Sequence, residues 1–332
     1  MKAITFTEHG GPEVLRLCER PIPQPGRNEV LIKMSSALVS RPDKLMRAGE
    51  YPWTNDILPF YPGLSGAGTI AEVGEGVTDY TVGQSVYVEH PIACGCYAEY
   101  KLAPTKNVTP IPDGTDLTLA AAANSHLIAW GMLNECFPGT QGRNLSLYIK
   151  GAAGSLGTAI VQIAPLLGIR VIASASTDEK VDYLRSLGKA DTVFRYTGAD
   201  EKAEVLAATN GRGADIIMDQ SVGEAFAAQF DYLAPMGTIL IYNHTKGDNT
   251  GNLVTAMTDI FGRCPAIRVF SFHYFDDKQD LLLQRKAEMF SLLHDGKIAP
   301  HIGGRFPLEQ AVEAHRTLDT AKSFGSLLLD IG

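Results

Sequence analysis

The chain has 332 residues, 45% hydrophobic and 20% charged, enough to bury a sizeable core across two domains. Its formal net charge of −8, from 29 basic and 37 acidic residues, argues against a nucleic-acid or anionic-membrane partner. The opening MKAITFTEHGGPEVLRL lacks the apolar centre of a signal peptide, no apolar run approaches membrane-spanning length, and five scattered cysteines form no disulfide framework, so the cytosol is the expected compartment.

Residues 1 to about 120 read as short strands broken by Gly and Pro, with candidates at 29–34, 69–73, 85–89 and 97–102. The helix-length candidate in this half is 41–47, and the whole is expected to form a mostly antiparallel barrel. Texture changes near Asp116, where LTLAAAANSHLIAWGMLNE is helical by composition. A strand at 145–149 then meets a glycine turn at 151–157. Leu156, Ile160, Ile163 and Leu167 follow at helical spacing up to Gly168, and a second apolar strand occupies 171–175. Pro165 inside that helix is expected to remove one backbone bond and bend the axis. Beyond it, strands at 192–195, 214–219 and 238–242 alternate with helices at about 201–209 and 224–234, the rhythm of a doubly wound parallel α/β sheet. A further strand at 269–272, helices at 286–294 and 308–319, and a last strand at 326–330 complete the pattern.

The turn GAAGSLG spaces its glycines GxxGxxG, a variant of GxGxxG with Ala152 at the middle position. Gly154 allows the backbone close to a pyrophosphate, and Gly157 allows the helix to lie against the strand. The first helical amides, at Ser155 and Leu156, face an anion from the positive end of the helix dipole. NAD-preferring sites place an acid at the end of the second strand, about 20 residues past the glycines, to hold the ribose. Here that stretch reads Ser174, Ala175, Ser176, Thr177, and Lys180 follows in the first turn of the next helix, where a cation opposes the dipole. Either a phosphate sits beside Lys180, which makes NADPH the expected cofactor, or Asp178 and Glu179 neutralise it on a solvated face. Ligands on such a sheet bind beyond the carboxyl ends of the strands. The bordering loops are then 151–157, 174–180, Tyr196, 221–223 with Ser221 and Val222, and 243–247 with Asn243 and Thr245, each of which is also ordinary turn chemistry.

PGLSGAGTIAEVGEGV (62–77), GQSV (83–86), CYAEY (96–100), GAAGSLG (151–157), STDEK (176–180) with Tyr196 downstream, and AHRTL (314–318) together resemble the medium-chain dehydrogenase/reductase superfamily. Within it the chain is similar to the zinc-free quinone oxidoreductase branch, over nearly its whole length. The resemblance implies a Rossmann domain at 123–267 and a GroES-like catalytic domain made of 1–122 and 268–332. It implies that Ser176, Lys180 and Tyr196 hold the 2′-phosphate, with Lys322 the nearest match to a C-terminal basic residue. It also implies a homodimer formed through the β-rich VFSFHYF (269–275), where Phe270 and Phe272 either wall the nicotinamide or pack as a strand.

Zinc-dependent members of that superfamily carry a Cys before x-x-Asp, a Gly-His-Glu, and a further Cys ahead of the glycine loop. The matching positions here are Ser40, Leu64 and Asn124, which supply no thiolate and imidazole set. Cys94-Gly95-Cys96 has no second pair to complete four ligands, and His90 and His126 read as polar loop or cleft residues, so no metal is expected. Without a Lewis acid the expected acceptor is a quinone, or an alkene conjugated to a carbonyl, whose own π-system spreads the incoming charge. The branch's acceptor Asn is replaced in VSRPD (39–43), whereas its Tyr is kept as Tyr51. Tyr51 either donates a hydrogen bond or proton to the acceptor or packs beside Trp53; Ser40, Asn124 and Ser125 are further candidates for orienting it. The expected activity is NADPH-dependent quinone reduction. The alternatives are an enoyl-thioester or 2-alkenal reductase with Tyr51 as proton donor, and a non-catalytic NADPH-binding protein, which the altered Asn position would favour.

Overall fold

Alternating apolar residues at the N-terminal end build a curled sheet, and buried apolar runs in the middle build a sheet of parallel strands. The computed structural model describes residues 1–51, 57–89, 94–219, 226–242, 253–320 and 324–332. They separate into two units, Met1–Leu127 with Leu283–Gly332, and Ile128–Leu282.

In the first unit, β1 (Lys2–Thr5) and β2 (Arg16–Glu19) pair as an antiparallel ribbon. The chain continues through β3 (Glu29–Val39), α1 (Arg41–Ala48), β4 (Ser65–Val73), β5 (Ser85–Glu89), β6 (Tyr100–Pro104) and β7 (Val108–Pro110). β3 runs on to Val39, past the expected end at 34, because it has partners along its whole length. β6 pairs with Glu29–Lys33 of it and β4 with Val30–Ala37, both antiparallel. β6 starts at Tyr100 rather than 97, since the residues before it are held elsewhere: Ile4 N–H donates to the Tyr97 carbonyl at 2.8 Å, and Tyr97 N–H to the Pro62 carbonyl at 3.2 Å. The Ala-rich stretch divides at Ala123 into α2 (Leu117–Ala122), capped by the Asp116 carboxylate on Thr118 N–H, and α3 (Asn124–Cys136).

The second unit contains β8 (Ser146–Ile149), α4 (Ser155–Ile163), β9 (Arg170–Ala175), α5 (Asp178–Ser186), β10 (Thr192–Arg195), α6 (Glu201–Ala208), β11 (Ala214–Asp219), β12 (Leu233–Ile241), α7 (Leu253–Asp259), β13 (Ala266–Val269) and the start of α8 (Gln279–His294). Its sheet order is β10-β9-β8-β11-β12-β13, every pairing parallel. Counted from β8 this is the order 3-2-1-4-5-6 of a doubly wound dinucleotide-binding sheet, whose switch point lies between β8 and β11. At Pro165 the helix changes type: the α-helix stops at Ile163, and the last turn, Ala164–Leu167, is a tighter 3-10 helix closed by Gly168 in the left-handed region. Of the expected helix at 224–234, the described part is a 3-10 turn, Ala227–Tyr232, and β12 already begins at Leu233.

Two further expectations need correction here. The expected strand at 269–272 is displaced, because β13 ends at Val269 and Phe272–Phe275 forms a 3-10 turn opened by the Ser271 hydroxyl, which accepts from His273 N–H. Residues 268–282, expected with the first unit, belong to the second, where β13 pairs with β12 and a Cβ added at Gly131 would touch the Phe275 ring at 3.0 Å. α8 starts seven residues before the expected 286, along a buried stripe of Leu282, Lys286, Met289, Phe290 and Leu293.

The chain then returns to the first unit through β14 (Ile302–Pro307), α9 (Ala311–Thr320) and β15 (Ser326–Asp330). β15 pairs antiparallel with Ser36–Val39 of β3 and closes the sheet order β14-β15-β3-β4-β5-β7. Ile32, Met34, Ile70, Val86 and Leu329 fill its interior. No helix among the described residues is long and apolar enough to cross a membrane.

α9 is locked to α1 through a buried histidine. Arg47 Nη1 donates to His315 Nδ1 at 3.0 Å, and Arg47 Nη2 binds Asp319 at 2.9 Å. A guanidinium only donates, so Nδ1 is the acceptor and the ring proton sits on Nε2, which faces the Tyr97 hydroxyl at 3.3 Å. Burial, with the Arg47 cation beside it, pushes His315 down from its ordinary 6.5 to about 3. The unfolded chain therefore takes up a proton near pH 6.5 that the folded chain refuses until about pH 3. Stability is expected to fall as pH drops through that window, by up to about 1.4 kcal/mol per pH unit from this group. Urea unfolding at pH 7, 6, 5 and 4 checks this, and His315→Gln should flatten the slope.

Candidate functional site

At the carboxyl ends of β8 and β9 the backbone makes a small cradle. Gly151 takes a left-handed turn with φ of 69°. Ala152 N–H donates to the Ser174 carbonyl at 2.9 Å, tying the turn to the end of β9. Gly154 opens α4 in extended conformation with no side-chain cap, and a Cβ placed on it meets nothing within 4 Å. At Gly157 the same test gives contacts of 2.6–2.8 Å with the backbone of Ala152, so the first turn of α4 lies directly on the glycine turn that follows β8. The result is open space above Gly154, beside the unshielded N-terminal end of a nine-residue helix.

The next corner carries the nucleotide-selecting candidates. Ser174 is fully buried and its hydroxyl lies 3.0 Å from Tyr148 Oη, so it works from beneath the site rather than at its surface. Ser176 is half-buried, its carbonyl accepting from Thr197 Oγ1 at 2.9 Å. Thr177 caps α5 through Lys180 N–H, and the Lys180 ammonium forms no ion pair among the described residues. Asp178, one of the two acids expected to neutralise Lys180, instead binds Arg195 Nη1 at 3.0 Å. Tyr196 N–H donates to the Ala175 carbonyl, and the Lys150 ammonium sits 4.9 Å from the centre of its ring.

Lys150 also pairs with Glu201 at 2.5 Å, and the other oxygen of Glu201 accepts from Tyr148 Oη at 2.7 Å. Sequence reasoning missed Lys150, Arg195 and Glu201. The signal available was position: Lys150 directly follows β8, Arg195 ends β10, and Glu201 opens α6, so all three border the rim where ligands bind. Phe270 is buried, its N–H bonded to the Ile241 carbonyl at 2.9 Å and its ring among Tyr274 and Phe275. Ser221, Val222, Asn243, Thr245 and Lys322 lie outside the described residues, as do Trp53 and His90.

In the first unit the acceptor candidates fall into two hydrogen-bonded groups. Ser40 caps α1, with its Oγ 2.5 Å and its N–H 3.0 Å from Asp43 Oδ2. Asp43 Oδ1 accepts from Gly63 N–H at 2.9 Å and Leu64 N–H at 3.0 Å. Burial raises the Asp43 carboxyl above its ordinary range, and these four donors oppose the shift. Asn124 Nδ2 donates to Tyr87 Oη at 3.0 Å and Glu89 Oε2 at 3.2 Å, while Glu89 is paired with the buried Lys286 at 2.7 Å. The hydroxyl proton of Ser40 and both amide protons of Asn124 are thus engaged, so neither side chain has a proton to offer an acceptor. Tyr51 is half-buried against the core of this unit.

The family model described as "Alcohol dehydrogenase GroES-like domain" matches residues 26–113, and that described as "Zinc-binding dehydrogenase" matches residues 155–283. A solved mycobacterial quinone oxidoreductase is 32% identical, with 99% of each chain covered and a TM-score of 0.85. A mycobacterial chain solved in complex with NADPH is also 32% identical, covering 99% of this chain and 100% of that one, with a TM-score of 0.83. A 2-haloacrylate reductase of Burkholderia sp. is 28% identical, with 98% of each chain covered. The chain belongs to the quinone oxidoreductase branch of the medium-chain dehydrogenase/reductase superfamily. The curled sheet is its GroES-like domain and the parallel sheet its Rossmann domain.

A catalytic zinc does not fit the residues at the matching positions of this reductase. Ser40 is bonded to Asp43, Leu64 contributes its N–H to the same carboxylate, and Asn124 is bonded to Tyr87 and Glu89. No group of three or more His, Cys, Asp or Glu among the described residues is arranged to hold a metal ion.

The two glycines of the cradle separate by stability. Gly157→Ala is expected to cost about 1–3 kcal/mol, because its methyl would collide with backbone that cannot move aside. Gly154→Ala should leave the melting temperature almost unchanged, its methyl entering open space. Thermal melts of both variants check the contrast, and equal losses would contradict it.

Proposed function

We propose that this chain is an NADPH-dependent oxidoreductase that reduces quinones by direct hydride transfer without a metal, as a cytosolic homodimer. The open cradle above Gly154 at the carboxyl ends of β8 and β9 carries the reading. Ala152, Gly154, Ser155, Leu156 and Gly157 shape the surface that would hold the pyrophosphate, with Ala152 acting through its small side chain because its N–H is already engaged. Ser176, Lys180 and Tyr196 would take the 2′-phosphate, and Ser174 supports them from below. Phe270 would flank the nicotinamide. When bound, the nicotinamide supplies the hydride.

The chain's own part in the chemistry is orientation and proton handling. A quinone spreads the incoming negative charge over its ring, so it needs placement more than a Lewis acid. With the protons of Ser40 and Asn124 engaged, Tyr51 and Ser125 stay as donor candidates, and the Tyr51 phenol is the one we assign to the acceptor oxygen or an enolate. The likeness to a 2-haloacrylate reductase supports a second reading, reduction of an alkene conjugated to a carbonyl, in which Tyr51 delivers a proton to carbon. For the dimer, support comes from β13, which ends the sheet order and leaves Val269 72% exposed. The expected dimer strand is thereby shifted to Ala266–Val269, since Phe272–Phe275 is a helical turn.

Chelator-treated protein should bind NADPH, seen as a change in nucleotide fluorescence, and oxidise it when 1,4-naphthoquinone is added. Binding without turnover of quinones, enals or enoyl thioesters would contradict an enzymatic role. Lys180→Ala should weaken NADPH about tenfold while leaving NADH nearly unchanged, as only NADPH has the extra phosphate. Tyr51→Phe should slow enal reduction by about a hundredfold and quinone reduction far less; equal rates would leave Tyr51 as packing.

A further inference from the structure

We propose that Arg195 sets this chain's selectivity for a 2′-phosphorylated nucleotide, and that Asp178 holds its guanidinium in place until the phosphate replaces the carboxylate. The inference deepens the NADPH reading above and rests on it. Arg195 is the last residue of β10 and pairs in register with Ala175, the neighbour of Ser176. Phe194 before it turns to the opposite face, where its ring stacks on Tyr148 at 5.8 Å. Arg195 therefore projects toward the start of α5, and its Nη1 reaches Asp178 Oδ2 at 3.0 Å. Asp178 is the first residue of that helix, two positions from Ser176 and two from Lys180. The guanidinium thus lies across the same corner as the residues assigned to the phosphate.

The pair is built to exchange. Its side chains are 46% and 78% exposed, and an ion pair so open to water contributes little to stability. A phosphate monoester carries more charge than a carboxylate, and a planar guanidinium can bind it through two parallel N–H···O bonds. Releasing Asp178 also frees the positive end of α5 from its own carboxylate, which favours an incoming anion. An NADH molecule offers only ribose hydroxyls at this corner and has nothing to compete with Asp178 for Arg195. The same carboxylate, when left in place, repels a phosphate, so its charge tempers the affinity that Arg195 and Lys180 provide together.

Fluorescence titration of the full chain with NADPH and NADH, with competition by adenosine 2′,5′-bisphosphate and by AMP, tests the assignment. Arg195→Gln is expected to weaken NADPH and the bisphosphate about tenfold, and to move NADH and AMP by less than about twofold. Arg195→Lys should recover part of the loss, and Asp178→Asn should tighten NADPH by about threefold without tightening NADH. Thermal melts establish that each variant is folded. If Arg195→Gln retains the wild-type preference for NADPH, the role of Arg195 is overturned while that of Lys180 stands. If the wild-type chain binds NADH as tightly as NADPH, the reading beneath it falls instead.

Discussion

The Rossmann unit depends on one close approach, the first turn of α4 lying on the backbone of Ala152. A glycine at 157 is required there, since any Cβ would come within 2.6–2.8 Å of Ala152. The contact aims the helix axis, and with it the positive end of the helix dipole, at the space over Gly154. The bond from Ala152 N–H to the Ser174 carbonyl then fixes that space relative to the end of β9. The open cradle at Gly154 and the corner proposed to select the nucleotide are therefore parts of one backbone arrangement. Side chains at the corner can change specificity without moving the cradle.

Electrostatics divides the molecule into locked and exchangeable groups. Glu89 with Lys286, and Arg47 with His315, are deep in the first unit and hydrogen-bonded on several sides. Removing one member would strand a buried charge or polar group, which is costly. Lys150 with Glu201, and Arg195 with Asp178, sit at the rim of the parallel sheet, where water screens them. Charges that must respond to a ligand belong in the second group, and that is where the cations we propose to face the nucleotide are found.

Much of this architecture was legible in the chain itself. The glycine spacing, the apolar strands on either side and the missing acid at 174–177 all act locally, so their structural effect could be read locally. What escaped depended on partners distant in sequence. β14 carries two glycines and an arginine and has no strand signature of its own; it exists because β15 pairs with it. The aromatic run at 270–275 has strand propensity, yet the Ser271 cap turns it into a helical turn. Ser40 and Asn124 were sound candidates by position, but Asp43, Tyr87 and Glu89 engage their protons, a fact visible only in three dimensions.

The central claim is that hydride passes from a bound nicotinamide to a conjugated acceptor with no metal ion taking part. Its most direct test is the rate of naphthoquinone reduction by chelator-treated protein, measured with NADPH and with NADPH deuterated at the transferred position. The account predicts a slower rate with deuterium, and identical rates before and after chelation. Loss of turnover on chelation, restored by added zinc, would contradict it.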